Sequence, residues 1–183
     1  MASSPVFVVT GPSGAGKGTL IRGLLERVEG LEVAVSATTR PQRPGEIDGR
    51  EYWFLSDDEF TRRVDAGEFL EWVPYVSGRR YGTLRSEIER IAEEEKVCVL
   101  ELELDGALRV QDEVPGSVTI FIAADVPELE RRLRDRATES TGEIDERIEL
   151  AREQLEQAHQ RARLVGRDPP GDAEQDACHG RAG

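Results

Sequence analysis

Val6-Phe-Val-Val-Thr10-Gly11-Pro-Ser-Gly-Ala-Gly16-Lys17-Gly18-Thr19 joins a short β-branched and aromatic run to a glycine-rich loop. The loop leads straight into a helical pattern with Leu20, Ile21, Leu24, Leu25 and Val28 on one face. The first run reads as a buried strand. Gly11-x-x-x-x-Gly16-Lys17 has the spacing of a phosphate-binding loop, in the context such a loop requires, after a strand and before a helix. Its glycines let the backbone bend so that successive N–H groups and the positive helix end face phosphate oxygens. Lys17 adds a mobile charge able to follow a transferred phosphoryl group. One position departs from the usual pattern. Gly18 stands where a Ser or Thr normally follows the lysine, and the hydroxyl comes one residue later, at Thr19. Magnesium is then expected to be held mainly by nucleotide phosphates and water, with help from Thr19.

Outward from this loop, strands alternate with helices. Glu32 to Ser36, Val97 to Leu104 and Val118 to Ala123 read as further strands. Ser56-Asp-Asp-Glu59 is a capping box that opens a short helix to about Ala66. Leu84, Ile88 and Ile91 mark the inward face of a helix ending at Glu93-Glu-Glu95, and Asp125 with Glu128 suggests another capped helix. A last long helix carries Ile144, Ile148, Ala151, Leu155, Ala158 and Ala162, a spacing read as core packing. The pattern predicts an α/β domain with a largely parallel sheet flanked by helices. The expected organisation is one domain over residues 1–165, with a core from 5–36 and 84–125. An inserted lobe spans 37–83, and a lid with its following helix spans 126–165. Residues 166–183 are poor in apolar side chains and are expected to be disordered.

Composition narrows the class. The 183 residues include 24 basic and 37 acidic side chains, a net charge of −13, with 38% hydrophobic residues. That balance argues against non-specific nucleic-acid binding. No apolar run approaches the ~18 residues of a membrane span. No signal-peptide pattern opens the chain. The two cysteines, Cys98 and Cys178, fit a reducing compartment, so a cytoplasmic location is expected. Only two of the basic residues are lysines, Lys17 and Lys96.

A second constellation follows the loop. Ser36-Ala-Thr-Thr-Arg40-Pro-Gln-Arg43-Pro-Gly45-Glu46 continues to Tyr52, with Glu71, Trp72, Tyr81, Gly82 and Thr83 further on. Arg40 and Arg43, three apart in a proline-bounded loop, can converge on one phosphate as planar forks, and tyrosine hydroxyls can donate to the same group. Carboxylates and a hydroxyl match guanine, whose N1–H and N2–H₂ donate and whose O6 accepts.

Over residues 5 to 160 the sequence resembles the guanylate kinase family of P-loop nucleoside monophosphate kinases, most specifically in the Ser-x-Thr-Thr-Arg-x-x-Arg-x-Gly-Glu segment. The resemblance implies magnesium-dependent, in-line phosphoryl transfer from ATP to GMP, and to dGMP. It implies ATP binding by the loop through Gly11, Ser13, Gly14, Ala15, Gly16, Lys17, Gly18 and Thr19. Arg40, Arg43, Tyr52 and Tyr81 would hold the GMP phosphate, Ser36, Glu71 and Thr83 would read guanine, and Glu46 would brace the loop. In Leu100-Glu-Leu-Glu-Leu-Asp-Gly106 the family has aspartate where Glu103 stands, which makes Glu103 the aligned guanine reader, and Asp105 replaces a glutamine. Glu101 would orient magnesium or its waters; a buried strand-end carboxylate is the alternative. Arg132, Arg136 and Arg147 align with lid arginines that close on the ATP phosphates; positive charge around the moving group is what phosphoryl transfer needs.

Two other readings remain. Guanylate-kinase-like domains of scaffold proteins bind phosphorylated peptides, typically without an intact P-loop. Gly-Lys-Gly-Thr is also found in adenylate kinases, whose acceptor loop differs. No metal-ligand spacing involves His159 or His179, and a monomer or homodimer is expected. After the long helix the family has a further strand and closing helix. Residues 160–183 carry nothing able to form that strand, so a truncated or frame-shifted end is expected, a truncated inactive product being the alternative, with Val118 to Ala123 left as an open apolar edge.

Overall fold

The computed structural model describes residues 5–75, 78–135 and 141–164. The elements run β1 (Val6–Thr10), α1 (Lys17–Leu25), β2 (Leu31–Val33), β3 (Ala37–Thr38), β4 (Trp53–Phe54), α2 (Asp57–Asp65) and β5 (Phe69–Pro74). They continue β6 (Arg80–Leu84), α3 (Arg85–Glu93), β7 (Val97–Leu102), α4 (Leu104–Glu113), β8 (Val118–Phe121), α5 (Val126–Asp135) and α6 (Thr141–Leu164).

Two four-stranded sheets result. The first, in the order β2-β7-β1-β8, is parallel throughout, with Val8 opposite Leu100 on one side and Thr119 on the other. This is the sheet of the α/β architecture that the alternation of elements implies. The second, β4-β3-β6-β5, comes from residues 37–84 and is mostly antiparallel. Val8, Ile91, Leu100 and Val110 form the centre of the first core, and Leu70 of β5 joins it from the second sheet. The second sheet has its own core, in which Phe60 of α2 stacks on Phe69 at 4.4 Å and Trp53 and Trp72 pack around them. Each such buried side chain contributes ~1.5–3 kcal/mol. Glu87 of α3 bridges the two parts. Its buried carboxylate accepts from the Val35 N–H at 3.0 Å and from Trp53 Nε1 at 3.3 Å, and it pairs with Arg90 at 3.1 Å.

Several local readings are corrected. The second strand is Leu31–Val33, ending before Ala34, because its parallel register with β7 runs only from Leu31 to Val33. β7 stops at Leu102, and Leu104 begins a helix that the alternating Leu-Glu-Leu-Glu-Leu pattern disguises as more strand. That helix buries Leu104, Gly106, Ala107 and Val110, spaced for one helical face. On α1 only Ile21 is fully inward; Leu20, Leu25 and Val28 are exposed, since the helix ends at Leu25 and no described element covers that flank. Half of the capping box is present: Ser56 Oγ accepts from the Glu59 N–H at 3.1 Å, while the Glu59 carboxylate turns to Arg62 and Arg63. β8 ends at Phe121 and pairs with β1 alone among the described residues, leaving Val118 and Ile120 exposed at the sheet edge. Arg136, His179, Cys178 and the tail from 166 lie outside the described residues, as does the side chain of Arg147.

Candidate active site

The phosphate loop sits where β1 turns into α1. Gly16 caps the helix with φ 96, a left-handed value that a residue with a side chain rarely adopts. The loop therefore reaches α1 with its first N–H groups turned outward. Ala15 packs with Leu129 of α5 and with Ala151 and Leu155 of α6, so both helices after β8 are docked on the loop. Arg132 of α5 reinforces this. Its Nη1 donates to the Gly14 carbonyl at 3.1 Å, while its Nε donates to Glu128 at 2.6 Å. Arg131 and Arg132 together hold the Glu128 carboxyl down at about 2.

Lys17 is buried, and its ammonium is folded against its own loop. Nζ donates to the Gly11 carbonyl at 2.6 Å and lies 3.4 Å from both the Pro12 carbonyl and Glu103 Oε1. Glu103 Oε2 accepts from Gln154 Nε2 of α6 at 2.9 Å. Both carboxylate oxygens of the aligned guanine reader are thus engaged on the loop side. Sequence reasoning missed Gln154, although it stands three residues after the inward Ala151 and is uncharged in a helix of Glu and Arg.

From the loop a cavity of about 640 Å³ runs to the second sheet, within the range of small-molecule sites. It brings together residues far apart in sequence, from Pro12 to Glu103. At its far end Arg40 is buried and fixed. Nη2 donates to Glu46 Oε1 at 2.7 Å, Nη1 to the Pro41 carbonyl at 2.7 Å, and the guanidinium lies 5.3 Å from the Tyr52 ring centroid and 5.4 Å from that of Phe54. The other Glu46 oxygen accepts from the Arg43 N–H at 2.7 Å. One carboxylate thereby shapes the whole turn. The Arg40 guanidinium and the Arg43 amide hold the Glu46 carboxyl below its usual range. Tyr52 and Tyr81 meet edge to face at 5.8 Å, and burial pushes the Tyr52 hydroxyl up. Arg43, Tyr75 and Arg79 also line this end; the last two were not anticipated.

Between the two ends, Ser36 and Glu71 line the wall. Glu71 is buried, accepts from Thr83 Oγ1 at 2.8 Å, and has its carboxyl raised by burial against the lowering effect of the Thr83 hydrogen bonds. Gly106 of α4 lies directly beneath it: a Cβ there would stand 2.7 Å from Glu71 Oε2. Asp105 is exposed and does not line the cavity. Glu101 is also exposed, facing the cavity across from Gly18, so the buried strand-end alternative is wrong. Thr19 lines the cavity from the first turn of α1. Among the described residues no group of three or more His, Cys, Asp or Glu side chains could hold a metal by itself. Cys98 is a buried core residue whose thiol burial pushes up to about 12.

A parallel α/β sheet with a glycine-rich loop of P-loop spacing at one end of a cleft and an arginine–tyrosine wall at the other fits the class of P-loop nucleotide-binding proteins. Comparison with known proteins is specific. The sequence model of the family described as Guanylate kinase matches residues 3–166. The chain is 47% identical over 156 residues to a guanylate kinase of Rubrobacter xylanophilus, covering 85% of this chain and 81% of that protein. It is 42% identical over 151 residues to the guanylate kinase of Thermotoga maritima, covering 82% and 72%. The crystal structure of guanylate kinase from Anaplasma phagocytophilum superposes with a TM-score of 0.61 at 26% identity, over 90% of this chain and 85% of that one. The chain belongs to the guanylate kinase family. It is a phosphotransferase by kinship, and no helix among its described residues is long and apolar enough to cross a membrane.

Proposed function

We propose that this chain transfers the γ-phosphoryl group of ATP to GMP, with dGMP as a second acceptor, in a cytoplasmic setting. The observation that carries this reading is the cavity with a phosphate loop at one end, an arginine–tyrosine wall at the other and Glu71, held from behind by the buried Thr83 hydroxyl, between. In this reading the loop from Gly11 to Thr19 cradles the ATP phosphates through its backbone N–H groups and Lys17. Arg40, Arg43, Tyr52 and Tyr81 grip the acceptor phosphate, with Glu46 bracing the first two. Ser36, Glu71 and Thr83 read the base. Glu71, as an ionised carboxylate, accepts from the two guanine donors, and adenine offers no donor pair of that kind. Arg132 already touches the loop and needs only to exchange the Gly14 carbonyl for a phosphate oxygen; Arg136 and Arg147 are assigned to the same lid.

The donor set suits magnesium held chiefly through phosphates and water, because Glu101 is one carboxylate beside Gly18 and, among the described residues, no cluster of ligating side chains could hold a metal by itself. Thr19 and Glu101 would orient its water shell. When bound, the ion neutralises charge on the phosphates being separated. No general base is required, since the acceptor phosphate is already anionic. The arginines and the lysine hold the two anions in line, and charge stabilisation supplies most of the rate enhancement.

The test is direct. Purified chain, ATP and magnesium are incubated in parallel with GMP, dGMP, AMP, UMP and CMP, and ADP release is followed. GDP and dGDP formation is expected with little turnover of the other three. Preference for AMP, or no turnover with GMP under conditions where the chain is folded, would overturn the assignment.

A further inference from the structure

We infer that Gln154 and Glu103 form a positioning pair for Lys17, linking the phosphate-loop lysine to helix α6. This rests on the proposed ATP–GMP reaction and adds a role that family position does not give to either residue. Three observations carry it. Glu103 Oε1 lies 3.4 Å from Lys17 Nζ, while Glu103 Oε2 accepts from Gln154 Nε2 at 2.9 Å, so one carboxylate spans the loop and the helix. Gln154 is 7% exposed, and its Oε1 has no hydrogen-bond partner among the described residues. A buried amide carbonyl left unsatisfied is costly, so a glutamine is not placed there for core packing alone. Finally, Ala151 and Leu155, which flank Gln154 on the same helix, pack against Ala15 of the loop. The polar tether and the apolar contact therefore join the same two elements.

The physical consequence is a fixed address for the lysine. A lysine ammonium on a four-carbon stem has many rotamers, and a charged hydrogen-bond partner removes most of them. The Glu103 carboxylate narrows that freedom, and the Gln154 amide keeps the carboxylate from swinging towards the base end of the cavity. Glu103 has one methylene more than the aspartate that the family resemblance puts at its position, and the longer arm suits this span. Displacement of α6 relative to the loop would loosen the lysine, so the helix following the lid informs the loop of its position through this pair.

The test uses the full chain and the variants Gln154→Leu, Glu103→Asp and their double. Steady-state assays give kcat and the KM for GMP. Since the chain has only two lysines, Lys17 and Lys96, ¹⁵N-lysine spectra report on Lys17 without any turnover. Gln154→Leu is expected to lower kcat three- to tenfold with the KM for GMP within twofold of the parent, and to move the Lys17 side-chain signal while Lys96 stays. Glu103→Asp should do the same, and the double variant should fall no further than the worse single one, because the two residues act as a unit. A raised KM for GMP with unchanged kcat, additive losses, or an unmoved Lys17 signal in both single variants would overturn the pairing. If Gln154→Leu does not fold, Gln154→Asn, too short to reach Glu103, replaces it with the same expected readings. Failure of the parent to phosphorylate GMP would refute the reaction and leave the spectroscopic result to judge the pair.

Discussion

The two ends of the cavity are built on different principles. At the acceptor end, charge is fixed by side chains that bind one another: Arg40 by Glu46, the Arg43 amide by the same carboxylate, Glu71 by Thr83. At the phosphate-loop end, the proposed donor end, each cation has one contact to a loop carbonyl, Lys17 to Gly11 and Arg132 to Gly14. The first arrangement presents a preformed surface, and binding there costs little reordering. In the second each cation also has a carboxylate partner, Glu103 for Lys17 and Glu128 for Arg132, and the carbonyl it touches is an acceptor that a phosphate oxygen, carrying full charge, can replace. In the proposed reaction a braced reader of the acceptor thus faces a more adjustable clamp on the donor.

The comparison breaks most sharply at Lys17. Lys17→Ala is expected to lower kcat by ~10²–10³-fold, the scale of one lost transition-state charge contact. Calorimetric affinity for GMP should stay within twofold, and an equal loss there would deny the separation of the two ends.

Arg40→Ala should weaken GMP binding by ~1.5–3 kcal/mol, the range for a hydrogen bond to a charged group. Guanosine, without the phosphate, should bind variant and parent alike. Arg43→Ala is expected to follow the same pattern with a smaller loss, since Arg43 is exposed where Arg40 is buried. Weaker guanosine binding by either variant would show that the turn, and not the phosphate, had been lost.

Glu71→Gln and Gly106→Ala attack the proposed base-reading wall from two sides. The first removes an acceptor and the second pushes a methyl group to 2.7 Å from Glu71 Oε2. Each is expected to lower kcat/KM for GMP about tenfold, the order of one or two lost hydrogen bonds, with ATP affinity unaffected. An unchanged preference for GMP over IMP in Glu71→Gln would remove this carboxylate from the reading.

The smallest effect is one of stability. Burial lifts the Glu71 carboxyl above its ordinary value of 4.5, so between the two values the native chain holds a proton that the unfolded chain has released. The stability tied to Glu71 is full below the ordinary value and is lost as pH rises through the native one. Glu71→Gln escapes that loss. It should melt higher than the parent at neutral pH, with the gap closing as pH falls towards 4.5. A gap that does not change with pH would mean the carboxylate is not under strain from burial.

Much of this protein is legible in its sequence, because certain local rules admit few alternatives. Gly11-x-x-x-x-Gly16-Lys17 between a strand and a helix specifies a phosphate loop through backbone sterics alone, and Ser56 with Glu59 fixes a helix start by one hydrogen bond. Alternation of elements implied the parallel sheet, and the arginine–tyrosine segment implied that these side chains gather in one place, as they do at one end of the cavity. Other features depend on long-range packing. Leu100 to Asp105 alternates like a strand, yet the chain turns helical at Leu104 because Ala107 and Val110 find a core and Gly106 fits under Glu71. The exposure of Leu20, Leu25 and Val28 depends on which neighbours cover α1, which periodicity does not encode. The placement of Glu103 beside Lys17 and Gln154 joins residues up to 137 positions apart, from Lys17 to Gln154. Sequence determined which chemical groups this chain carries and which local turns present them. Tertiary structure alone decided which partner each charge meets, because that choice is made by the closing of two sheets around one cavity.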